Sequence, residues 1–166
     1  MGDDSRRLSG EDYGYAATDG RYRVEQCLLN HGIIFQRKIG YARVEDARAE
    51  AEALRRLVDQ HQLLEHHRRL YICSDLSALE GVTRGARPIV ARLFTEEDIE
   101  VVVAACGVSP FTRILDRIFQ SWRPSLRHHY FDTLQEAEAF LITERQRDLG
   151  ADDVRAGAPQ HRAAHT

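Results

Sequence analysis

The sequence predicts an α/β domain with about five strands and about four helices, in which a mostly parallel sheet carries an antiparallel hairpin strand at or near one edge. Three observations lead there. Apolar runs of strand length alternate with segments of helical spacing in the order β-β-α-β-α-β-α-β-α, and strands joined by crossover helices pair in parallel. The first two runs are separated only by Asn30-His31-Gly32, whose Asn and Gly tolerate the positive φ of a hairpin turn. Residues 99–106 (IEVVVAAC) are almost continuously apolar, as in a strand covered by helices on both faces.

The elements follow in order. Residues 1–20 and 150–166 mix charge, Gly, Ala and Ser without periodicity and are expected to be flexible, which leaves one domain over 21–149. Residues 22–29 and 33–39 form the hairpin. In 44–64, Val44, Ala47, Ala51, Leu54 and Val58 recur at three- and four-residue spacing, the stripe of a long amphipathic helix. Tyr71, Ile72 and Cys73 make a short buried strand closed by Asp75, and Gly81, Thr83 and Gly85 read as the loop after it. Pro88 lacks the amide that later helical turns donate, so the next helix (Ile89, Val90, Leu93, Phe94) has its N-cap between Gly85 and Arg87. After the strand at 99–106, Ser109 and Pro110 open a helix striped by Phe111, Ile114, Leu115, Ile118, Phe119 and Trp122, which Pro124 ends. His129, Tyr130 and Phe131 form the last strand. Asp132 or Thr133 then caps a helix carrying Leu134, Ala137, Phe140 and Leu141.

Composition excludes some functions. A formal net charge of -3 argues against general nucleic-acid binding. No stretch approaches the roughly 20 apolar residues of a membrane span, and no signal peptide is visible, so a cytoplasmic protein is expected. Cys27, Cys73 and Cys106 lie in apolar runs without zinc-site spacing and are read as reduced core residues.

The chemical constellations are weak. Cys106 followed by Arg113 lacks the spacing of a phosphatase loop, and Pro110 removes an amide that would face the phosphate. No Gly-Lys-Ser/Thr follows Gly81 and Gly85, so there is no phosphate-binding loop. His66-His67 and His128-His129 are adjacent pairs whose members point apart; solvated histidines are expected, with no metal and no cofactor. Asp75 and Glu80 could pair as carboxylates, but the plainer reading is a strand-end acid that binds loop amides or Thr83.

Three phrases carry a resemblance: YICSDLSALEGVT, VVVAACGVSPFTRIL and YFDTLQEAEAFL. With them, residues roughly 22 to 142 resemble the SpoIIAA-like superfamily, the STAS (STAS/SEC14) fold of anti-sigma-factor antagonists, in a divergent branch. In those antagonists an Asp-Ser-Ser-Gly loop is phosphorylated on its first serine by a partner kinase. Set against Val82-Thr83-Arg84-Gly85, the resemblance implies Thr83 as phosphoacceptor and retains Gly85, with Val82 in place of the acid and Arg84 in place of the second serine. The resemblance implies a non-catalytic regulatory module. Its partner would be a protein, an anti-sigma-factor or kinase-like regulator, bound through a loop holding Ser77, Glu80, Thr83, Arg84, Gly85 and Arg87, with the Thr83 hydroxyl turned to solvent. The alternative is a small-molecule or lipid-binding module of SEC14 type. An enzyme built on Cys106 or Asp75 is the weakest reading.

Overall fold

The computed structural model describes residues 13–64, 68–86, 89, 99–109 and 126–156. Six strands form one sheet in strict chain order: β1 (Tyr13–Ala16), β2 (Tyr22–Leu29), β3 (Ile33–Ala42), β4 (Arg69–Val82), β5 (Glu100–Cys106) and β6 (Leu126–Phe131). The pairs β1–β2 and β2–β3 are antiparallel, and β3–β4, β4–β5 and β5–β6 are parallel. Two α-helices lie among the described residues, α1 (Val44–Gln60) and α2 (Leu134–Ala156).

The mixed sheet with its antiparallel hairpin is the one expected; the hairpin turns at residues 30–32, but the positive φ falls on His31 (76) and Gly32 (65) and not on Asn30. The counts differ. A sixth strand comes from the segment expected to be flexible: Tyr13–Ala16 pairs with β2, and the Tyr15 hydroxyl donates to Asp46 Oδ1 at 2.9 Å. A strand of four residues has too little pattern to show in sequence, and pairing with β2 supplies what periodicity does not. The helix expected to reach Leu64 ends at Gln60, and α2 runs on past 150 to Ala156. Of the other two expected helices, only Ile89 is a described residue.

The largest correction concerns β4. It does not close at Asp75 but continues through Ser77, Glu80 and Gly81 to Val82. Ser and Gly read as turn residues, yet β3 runs alongside: Ile39, Gly40, Tyr41 and Ala42 pair with Ala78, Leu79, Gly81 and Val82, with two register shifts. Cross-strand hydrogen bonds here outweigh weak local strand propensity.

Each face of the sheet has its own core. Under α2 lie Cys27, Phe35, Tyr71, Cys73, Val102 and Ala104, packed on Ala137 and Leu141. Under α1 lie Ile34, Ile72 and Val101 with Leu54, Leu57 and Val58. Nearer the start of α1 the same face holds Tyr22, Val24 and Ala42, with Tyr15, Leu79 and Val82 packed against them. Asp46 holds this end together, because its second oxygen accepts the Arg43 amide at 2.8 Å and so caps α1. No helix among the described residues is long and apolar enough to cross a membrane.

Candidate functional site

β4 pairs with β5 only from Arg69 to Asp75. Beyond Asp75 it is paired, among the described residues, with β3 alone, so 76–82 and the end of β3 project as a ribbon past the end of β5. At about 3.3 Å per residue the seven residues from 76 to 82 reach on the order of 20 Å.

A polar cluster marks the base of the ribbon. Asp75 is 6% exposed. Its Oδ1 accepts the Ser77 amide at 3.0 Å and the Ser77 hydroxyl at 2.6 Å, and its Oδ2 accepts Arg37 Nε at 2.9 Å. Burial pushes the Asp75 carboxyl up, but the Ser77 hydroxyl and amide and the Arg37 guanidinium outweigh it and hold the group below the usual carboxylate range. Asp75 therefore binds a following amide, as the sequence suggested, but that of Ser77 and not Thr83. Gly107 closes the base. Its φ is 75, and a Cβ there would lie 2.4 Å from the Ser77 nitrogen, so only glycine lets the exit from β5 press against this turn.

Cys106 Sγ lies 4.0 Å from Asp75 Oδ1. Burial first, then the Asp75 charge, push its thiol up, and burial takes the Cys73 thiol up to about 12. Both thiols stay protonated at neutral pH, the opposite of what a nucleophilic cysteine requires. All three cysteines are buried and none is in a disulfide.

The predicted site residues do not converge in one loop. Ser77 sits exposed at the base, locked to Asp75, and Glu80 is exposed midway along the ribbon at a register shift. Thr83, Arg84 and Gly85 form the tip, a turn closed by the Ala86 amide donating to Thr83 O at 3.0 Å. Arg84 and Gly85 are exposed. Arg87 lies outside the described residues. The Thr83 hydroxyl is not turned to solvent: Oγ1 is enclosed and has no hydrogen-bond partner. The Thr83 amide still donates to Ala42 O at 2.9 Å, which holds this residue in the sheet's hydrogen-bond pattern. Nor do Asp75 and Glu80 form a carboxylate pair, because one is buried against Arg37 and the other exposed on the ribbon.

Sequence reasoning missed Tyr41. Phe35, Arg37, Ile39 and Tyr41 alternate along one face of β3, so the phase was legible. That α2 covers this face only farther back along the strands was not. Tyr41 is 43% exposed, and its ring lies over Gly81, where a Cβ would come within 2.8 Å of Cε2.

The histidines behave differently from expectation. His66-His67 lies outside the described residues. His128 and His129 do point apart, His128 toward Tyr130 and His129 onto Phe140 with ring centroids 4.4 Å apart. Both are half-buried, not solvated, and His129 is covered by α2 through Phe140. No group of three or more metal-ligating side chains occurs among the described residues. A shallow depression of about 360 Å³ lies at the end of α1, lined by Val58, Asp59, Gln62 and Leu64. Half of those residues are polar, which suits an apolar ligand poorly.

These features define an α/β protein with the SpoIIAA-like fold. A solved structure from Shewanella loihica PV-4, an uncharacterized protein of the DUF3478 family described as having a SpoIIAA-like fold, superposes with a TM-score of 0.53. The alignment covers 72% of this chain and 93% of that one at 14% identity. No family model and no curated protein matches the sequence.

Proposed function

We propose that the protein is a non-catalytic regulatory module of STAS type that captures a protein partner through the β3–β4 ribbon and the turn at its tip. The observation behind this is the overshoot of β4, which carries Tyr41, Ala78, Glu80 and Arg84 out past the end of β5 as an exposed surface. Tyrosine and arginine, both exposed on this ribbon, are residue types from which binding hot spots are drawn. The resemblance to anti-sigma-factor antagonists suggests the class of partner, an anti-sigma-factor or kinase-like regulator. A kinase acting on Thr83 would have to open the tip turn first, since the hydroxyl is enclosed.

The test is quantitative capture of proteins by the full chain and by two variants, Tyr41→Ala on the ribbon and Leu149→Ser on α2. Leu149 is the other exposed large apolar side chain among the described residues. Partners held by wild type and by Leu149→Ser should fall about tenfold with Tyr41→Ala, the effect of losing a modest hot spot. Equal capture by all three removes the ribbon from the account. A lipid or metabolite retained in native mass spectrometry would support the ligand-binding alternative instead.

A further inference from the structure

The ribbon has one edge that no described residue pairs. β5 ends in register at Asp75↔Cys106, while β4 continues to Val82 with β3 on one side. Among the described residues nothing pairs with the other side of 78–82. The direction of its backbone groups follows from the tip: the Thr83 amide donates to Ala42 O, toward β3. Successive amides of an extended chain point to opposite sides, so the Val82 amide points away from β3, onto the track where β5 would have continued.

The other two edges of the sheet are blunted in the ways that discourage added strands. β1 is four residues long, and β6 carries Arg127, His128 and His129 in succession. Residues 78–82 (ALEGV) contain no Pro or Lys. Glu80, the charge among them, falls at a register shift, so this edge carries a charge and an irregularity of its own at its middle. Ala78 and Gly81 share a face with Tyr41 through their pairing, and Leu79 and Val82 pack on the opposite face with Tyr22 and Val24. The edge thus offers small side chains beside an exposed aromatic on one face and half-buried aliphatics on the other.

We infer that the partner contributes an extended segment that adds to 78–82 as a further strand on the β5 track, with alternating apolar side chains, one set of them lying over Ala78 and Gly81 against Tyr41. This rests on the ribbon being the partner surface. Main-chain hydrogen bonds supply the affinity of such additions, and the alternate side chains supply the selectivity.

A random heptapeptide library displayed on phage, selected on the full chain, is the probe. Enriched peptides should alternate apolar residues, slow exchange of the Val82 amide when bound, and lose at least about tenfold in affinity to Val82→Pro. That substitution removes the amide turned to the unpaired edge, a position at which proline is tolerated. Peptides that depend on Tyr41 but leave the Val82 amide exchanging, and bind Val82→Pro equally, overturn strand addition while leaving the ribbon as the contact surface. Peptides indifferent to both Tyr41→Ala and Val82→Pro, or no enrichment at all, overturn strand addition outright. Should Val82→Pro fail to give a native melt, exchange at Val82 in the wild type decides the matter.

Discussion

Under α2 the sheet is apolar in its middle, with Phe35, Tyr71, Cys73, Val102 and Ala104 against Ala137 and Leu141, and apart from the buried Asp75 at the base of the ribbon its charges lie at the rim. There Arg69 pairs with Glu100 and Asp148, Arg127 with Glu100 and Glu144, and the Tyr71 hydroxyl donates to Asp148. Under α1 the polar groups are inside. Gln26, Gln36 and Ser74 sit side by side across β2, β3 and β4, and Gln36 Nε2 donates to Ser74 Oγ at 2.7 Å. Next to them Glu50, 2% exposed, accepts the Tyr22 hydroxyl at 2.6 Å and pairs with Lys38. Burial, then the Glu50 carboxylate, push the Tyr22 phenol above its ordinary range. The rim charges can rehydrate if the helix shifts, so they fix its position weakly. The buried band cannot, and a one-residue slip of β3 would turn Gln36 and Lys38 to the other face. The α1 side therefore specifies register at a cost in stability, and the α2 side contributes stability with less demand on geometry.

That contrast is most severely tested at Glu50. Glu50→Ala leaves the half-buried Lys38 and the buried Tyr22 hydroxyl without their acceptor and should cost about 3–5 kcal/mol in a denaturant melt. A loss below about 1 kcal/mol would show that the band is no more demanding than the rim. Gln26 probes the same band with the opposite sign. It is 1% exposed and neither amide atom has a hydrogen-bond partner. Gln26→Met, near in volume, should raise stability by about 1–3 kcal/mol, the cost of burying an unpaired amide. A destabilised variant would mean that the amide is satisfied in solution.

The smallest effect belongs to the α2 side and is read through pH. His129 lies on Phe140, and its Nε2 is enclosed without a partner. Burial first, then Arg127, lower its pKa below 6.5, with Glu144 opposing and His128 adding to the shift. The unfolded chain then takes up a proton before the folded one does. Stability is full above pH 6.5 and falls as the pH drops through that value, levelling once the folded state also protonates. Melts between pH 5 and 7 should show this slope, and His129→Phe should flatten it. An unchanged slope in the variant would assign the effect to other groups.

Much of the architecture was legible in residue order. The Asn30-His31-Gly32 turn, the apolar run of β5 and the stripe of α1 each follow from local chemistry. So does the start of α2, where Thr133 Oγ1 accepts the Glu136 amide and Glu136 reaches back to the Thr133 amide, at 3.2 and 3.1 Å. Asp75 was also visible as a strand acid with a following amide to bind.

What only the tertiary structure decided depends on partners distant in sequence. Residues 76–82 contain Ser and Gly and read as a loop, and it is the parallel pairing with β3 that makes them a strand and lifts Tyr41 into view. Gln26, Gln36 and Glu50 have the composition of a solvated surface. They are interior because α1 packs over the middle of β2 and β3, and no local pattern announces which polar residues a later helix will cover. Thr83 likewise depends on a distant partner: its amide bonds Ala42 O, forty-one residues earlier, and its hydroxyl is enclosed.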